Sequence, residues 1–257
     1  MTPIADILAA ATPTPTGFTT MIPADWMQGR TSYGGISSAI ALHAAQQSEP
    51  DLPPLRSAQI SFIGPLAGEI TVTATKLRRG RTAAFIQADI VSAAGLGLRA
   101  TFVFMASQPS KIDFDQRPPV THPYPTPETK VFTGPEAFFI NNFNFLDLKD
   151  GLGAGELLRW ARLRATAGLD PMVQMLAIAD ALPPAVARLF DGGFPPVSSV
   201  TWIVNMLTDA PATIDDWWLL SAKSDFARNG CSSQTMRVWN AKGQLMAEGM
   251  QSVALFI

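Results

Sequence analysis

The stretch Gln28-Gly-Arg-Thr-Ser-Tyr-Gly-Gly35 runs directly into residues 36–46, which are rich in Ala, Ile and Leu. A Gly-Gly pair before such a segment reads as a turn that feeds a helix. That helix is apolar nearly all round, so it has to be buried on every side. Four strand-like segments follow, at 56–65, 69–78, 82–92 and 96–106. Within them Glu69-Ile-Thr-Val-Thr-Ala-Thr75 is β-branched and alternates with period two, the pattern of a half-buried antiparallel strand. Gly80 and Ala94-Gly95 supply hairpin turns between these strands.

The same order recurs in the second half. Residues 138–148 and 156–165 read as strands. Asp170-Pro-Met-Val-Gln-Met-Leu-Ala-Ile-Ala-Asp180 reads as a helix, with Asp170 as N-cap and Pro171 at the first helical position. Further strands are expected at 198–206, 217–226, 232–239 and 244–256, and the turn Asn240-Ala-Lys-Gly243 corresponds to Ala93-Ala-Gly95. Between the halves, residues 108–128 hold six prolines, which excludes a helix or a central strand and reads as an extended linker. The periodicity predicts an α+β duplication. Its units are a hot-dog at 1–107, a Pro-rich linker at 108–130 and a second hot-dog at 131–257. This double hot-dog would wrap each long helix in an antiparallel sheet, and pair the two sheets through their exposed edges.

Composition bounds the function. The chain has 257 residues, 47% of them hydrophobic and 16% charged, enough for one large core or two smaller ones. Its formal net charge of −2 offers no basic field for a nucleic acid. The one basic cluster, Lys76-Leu-Arg-Arg-Gly-Arg81, reads as a strand end and its turn. One cysteine, Cys231, excludes an internal disulfide, and two histidines, His43 and His122, leave no metal-ligand cluster. The N-terminal residues lack a positive region ahead of their apolar run, and no apolar run reaches the roughly 18 residues of a membrane span. A soluble, cytoplasmic protein without a metal or cofactor is expected.

Two runs carry a resemblance to a known family. One is Gln28-Gly-Arg-Thr-Ser-Tyr-Gly-Gly-Ile36. The other is Trp218-Leu-Leu, Gly230, and Arg237-Val-Trp-Asn-Ala-Lys-Gly-Gln-Leu-Met-Ala-Glu-Gly-Met-Gln251-Ser-Val. Together they resemble the thioesterase-like proteins with two fused hot-dog domains, relatives of the bacterial medium- and long-chain acyl-CoA thioesterases. The resemblance implies hydrolysis of an acyl thioester, with coenzyme A present only as part of the substrate. It also implies a water held by an Asp, a Ser or Thr, and a Gln, all from the second unit. Gln251 matches the family's last-strand glutamine. The hydroxyl falls on Ser224 or, in the adjacent register, its place is taken by Asp225. Neighbouring strand residues face opposite sides, so only one can face the site.

The acid is where the sequence departs. The position that the resemblance assigns to Asp holds Ser199, or Ser198 in the adjacent register, which cannot act as a carboxylate base. Asp225 or Asp180 could take its place. Tyr33, Gly34, Gly35 and Arg30 are the expected substrate-binding residues, because N–H groups at a glycine-led helix start can polarise a carbonyl. An acyl tunnel is expected between the two helices, lined by residues such as Met172, Met175 and Phe62. Two other functions remain open at this point: a catalytically idle double hot-dog that binds acyl-CoA, and an enoyl-thioester hydratase based on His43. Fused pairs of this kind stand alone or assemble further as homo-oligomers.

Overall fold

In chain order, the computed structural model, which describes residues 1–117, 119–191 and 196–256, begins with α1 (Ile4–Ala9), β1 (Thr12–Thr14) and β2 (Gly17–Ile22). A small hairpin of β3 (Met27–Gln28) and β4 (Thr31–Ser32) then leads into α2 (Gly34–Gln47). Strands β5 (Leu55–Phe62), β6 (Gly68–Arg79), β7 (Ala83–Ser92) and β8 (Gly95–Met105) follow. The second half builds β9 (Phe143–Leu148), β10 (Glu156–Leu163), α3 (Pro171–Ala179), β11 (Val197–Met206), β12 (Trp218–Arg228), β13 (Cys231–Asn240) and β14 (Leu245–Leu255).

Among the described residues, twelve strands make one sheet in the order β1-β2-β6-β7-β8-β5-β11-β14-β13-β12-β10-β9, with β3 and β4 apart. Each half sends two strands to the outer edge, then a helix, then four strands. The halves meet where β5 pairs antiparallel with β11, Ile60 opposite Trp202.

Ten of the fourteen residues of α2 are buried, as its unbroken apolar surface requires. It lies against β6, β7, β8 and α3. Helix α3 starts where the cap signals predict: the Asp170 carboxylate accepts from the N–H groups of Met172 and Val173, both at 3.0 Å. At nine residues, α3 is shorter than the long second helix expected. The two helices run antiparallel. At one end Tyr33 Oη donates to the Ala177 carbonyl at 2.7 Å, and at the other Gln46 Nε2 donates to Asp170 at 3.2 Å.

The described residues of the proline-rich linker form no regular element, yet they are not free chain. The Val120 N–H donates to the Gly243 carbonyl at 3.3 Å. Val120 and Tyr124 cover a cluster of Trp160, Trp217, Leu219 and Trp239. A Cβ on Gly243 would lie 2.0 Å from the Val120 carbonyl oxygen, so glycine is required where the strap crosses the turn. This cover explains why Trp218, Leu219 and Leu220 are all buried in succession: both faces of β12 are occupied. Two expectations shift. Residues 138–148 open with a 3₁₀ turn at Phe139–Asn142 before β9 begins. Two further strands lie ahead of α2 where none was expected: the edge strand β1, which holds Pro13, and β2, which pairs with β1 on one side and β6 on the other.

Candidate active site

Gln251 sits midway along β14, 2% exposed, opposite Trp202 on β11 and Gln234 on β13. Its Nε2 donates to Asp180 Oδ1 at 2.6 Å. Asp180 caps the C-terminal end of α3, and the Gly35 backbone N–H at the start of α2 also reaches its carboxylate. The α2 N-terminus favours negative charge there, whereas the α3 C-terminus opposes it. Burial pushes the Asp180 carboxyl up to about 7, and the hydrogen bonds from Gln251 and Gly35 only partly offset that rise. A group poised there can accept or return a proton near neutral pH.

Gly34 makes the meeting possible. A Cβ at this position would lie 2.6 Å from Asp180 Oδ2 and 3.0 Å from the Phe62 ring. Ser199 completes the cluster, its Oγ donating to Gln251 Oε1 at 3.1 Å. Ser199 and Trp202 are three residues apart and in a regular strand would face opposite sides. A bulge between Ser199 and Thr201 turns the Ser199 hydroxyl to the inner face. The indole N–H of Trp202 is buried beside this cluster and has no partner among the described residues.

The structure therefore brings Gln251 and Ser199 together with Asp180, a carboxylate that the sequence offered only as a substitute. It does not bring Ser224 or Asp225 to them. Ser224 shares the inner face but lies one strand beyond Gln234, and its hydroxyl pairs with Ser232 at 2.7 Å. Asp225 is exposed at another bulge and pairs with Lys223 at 3.4 Å. Tyr33 is a buried pillar stacked on Phe139 at 4.3 Å, its hydroxyl given to Ala177 and its pKa pushed up by burial. The Gly35 N–H lies toward Asp180 and helps to hold its carboxylate charged. The first-turn amides of Gly34 and Ile36 have no intrahelical acceptor. Arg30 is exposed at the tip of the β3–β4 hairpin.

The expected tunnel does not open between the helices at the site end, where a Cβ on Gly35 would lie 2.3 Å from the Ala177 carbonyl oxygen. Met175 is fully buried. Met172 instead borders a cavity of about 760 Å³ at the opposite end of the helix pair, together with His43. Eight residues of helix, roughly 12 Å, separate His43 from Gly35. Burial lowers the His43 pKa, and its ring packs edge-on against Phe18. Among the described residues no group of three or more His, Cys, Asp or Glu side chains could hold a metal ion, and no helix is long and apolar enough to cross a membrane.

Two family models cover most of the chain: the acyl-CoA thioesterase N-terminal domain over residues 22–105 and the acyl-CoA thioesterase C-terminal domain over residues 114–255. The chain belongs to the acyl-CoA thioesterase family. No curated protein matches it significantly. Among solved structures, a conserved hot-dog protein of unknown function from Alicyclobacillus acidocaldarius matches with a TM-score of 0.81 at 20% identity, covering 100% of this chain and 99% of that one. A tesB protein from Mycobacterium avium subsp. paratuberculosis matches at 0.79 and 17%, covering all of both chains. An acyl-CoA thioesterase II from Mycobacterium marinum matches at 0.70 and 14%, covering 98% and 96%. At these identities the structural likeness carries the hot-dog fold.

Proposed function

We propose that this protein is a cytoplasmic acyl-CoA thioesterase that hydrolyses its substrate with a water held by Asp180, Gln251 and Ser199. In this reading the chain is two fused hot-dog units, 1–107 and 131–257, joined by the strap 108–130, each unit curving its sheet about one helix. The observation that carries the reading is the 2.6 Å bond between Gln251 and a buried carboxyl held up to about 7. The acid, amide and hydroxyl that the chemistry asks for are then all in one cluster, with Asp180 rather than Asp225 as the acid. Ser199 serves as the hydroxyl rather than as a replacement for the acid.

The reaction follows from these groups. Asp180 takes a proton from the water as its oxygen attacks the thioester carbonyl carbon. A first-turn amide of α2, that of Gly34 or Ile36, faces the developing oxyanion, where the helix dipole adds to the stabilisation. Collapse of the tetrahedral intermediate breaks the C–S bond. The coenzyme A thiolate leaves without prior protonation, because a thiol pKa is only about 8.5, and then recovers the proton from Asp180. Gln251 donates to Asp180 with one amide hydrogen and has a second for the water.

Incubating the pure protein with acyl-CoAs of graded chain length and a thiol reagent tests this. Free coenzyme A should appear, and Gln251→Ala should slow its release by about 10²-fold or more. Tight binding of acyl-CoA with no release would contradict hydrolysis and leave an acyl-CoA-binding protein.

A further inference from the structure

Gln251 orients Asp180, and Gln251 is itself held by a residue to which the mechanism above gives no part. Gln234 on β13 is 1% exposed and lies directly opposite Gln251 in the ladder. The two ends of an amide side chain have nearly the same shape, so its direction is fixed by its partners. The Ala185 backbone N–H can only donate, and it donates to Gln234 Oε1 at 2.8 Å. That turns the Gln234 amide hydrogens toward Gln251, where Nε2 donates to Gln251 Oε1 at 2.8 Å. Gln251 Oε1 is then filled by two donors, Gln234 and Ser199. Its own amide hydrogens are left facing Asp180. One backbone N–H thereby sets the polarity of the whole chain of groups.

We propose that Gln234 is a positioning residue for thioester hydrolysis, locking Gln251 with its amide hydrogens toward Asp180 and the attacking water. The proposal rests on the hydrolytic reading above. A Gln251 turned the other way would set its carbonyl oxygen against the Asp180 carboxylate and leave the water without that donor. Among the described residues, few other groups face Asp180. They are the Gly35 N–H from α2, the Phe62 ring from β5, and the Tyr33 phenol, whose raised pKa keeps it neutral. The ladder does not need an amide here for folding. The corresponding partner in the first half, opposite Ala100 on β8, is Ala88.

Two variants separate positioning from packing. In Gln234→Glu the carboxylate still accepts from Ala185 but has no hydrogen for Gln251. In Gln234→Met the side chain keeps its length and offers neither. Both are measured in the full chain on the acyl-CoA that the parent protein cleaves fastest. The Asp180 carboxyl is titrated in parallel by carbon-13 NMR of aspartate-labelled protein. Gln234→Glu should lower kcat by about 10- to 100-fold with KM within about threefold, and raise the Asp180 titration point by about one pH unit or more. Gln234→Met, which adds no charge, should move both in the same direction by less. Either variant folding with the parent kcat and Asp180 titration point overturns the proposal. If the parent cleaves no acyl-CoA, the hydrolytic reading fails. The carboxyl titration then still decides whether Gln234 sets the state of Asp180.

Discussion

One row of inward-facing side chains crosses the middle of the sheet, each paired with the next across eight strands. In the N-terminal half it reads Ala74, Ala88, Ala100, Ile60. In the C-terminal half it continues Trp202, Gln251, Gln234, Ser224. By strand order Ala100 corresponds to Gln251 and Ala88 to Gln234. Both alanines are fully buried, so small apolar residues satisfy the architecture at these rungs. Buried amides do not arise there for the sake of the sheet, since each needs partners to offset its desolvation. The N-terminal half keeps the scaffold and lends the glycine-led start of α2. The C-terminal half supplies the polar groups.

Removing the carboxylate should erase the functional difference between the halves. Asp180→Asn should lower kcat by about 10²- to 10⁴-fold, measured as coenzyme A release. The same substitution should stabilise the fold, with a defined pH dependence. The folded carboxyl is raised to about 7, so wild-type protein loses stability as pH climbs from about 4 to about 7 and the buried group ionises, by up to roughly 4 kcal/mol. Asn carries no such cost. Thermal unfolding should therefore favour the variant little at pH 4 and most at pH 8.

Placing an amide in the sealed half breaks the comparison from the other side. Ala100→Gln adds volume and an unpartnered polar group to a packed rung and should cost about 2 to 4 kcal/mol. That is a fall in Tm of roughly 5–15 °C in a chain of this size. A variant as stable as the parent would show that the apolar rung is not a requirement of that half. The smallest effect is expected at the far end of the row. Ser224→Ala removes a hydroxyl that pairs with Ser232, and kcat/KM should stay within about twofold.

Much of the fold was legible in the sequence because its signals are local. The Gly34-Gly35 pair and the Asp170-Pro171 cap mark their helices at the right residues, and the eight central strands lie within three residues of expectation. The edge strand β1 has no strand signal because its proline is tolerated at an edge, where a missing N–H costs nothing, and β2 is a short run set between that proline-rich stretch and the turn at Pro23. The site was legible only in part. Gln251 announced itself as an amide in an apolar strand. Asp180 reads locally as an ordinary helix end, and only the antiparallel packing of α2 on α3 carries it to Gly35 and Gln251. Ser199 depends on a bulge that strict alternation does not reveal. Counting from Trp218 places Asp225 at the hydroxyl position and counting from Gly230 places Ser224 there, because a bulge lies between them, and Asp225 is exposed beside Lys223.

The account rests on Asp180 as the group that takes the proton from water, and the pH profile of kcat/KM tests it most directly. Wild-type activity should rise with a slope of one through about pH 7, following ionisation of the Asp180 carboxyl. That limb should vanish in Asp180→Asn and remain in Asp225→Asn. A limb that persists without the Asp180 carboxyl, or is lost with Asp225, would contradict it.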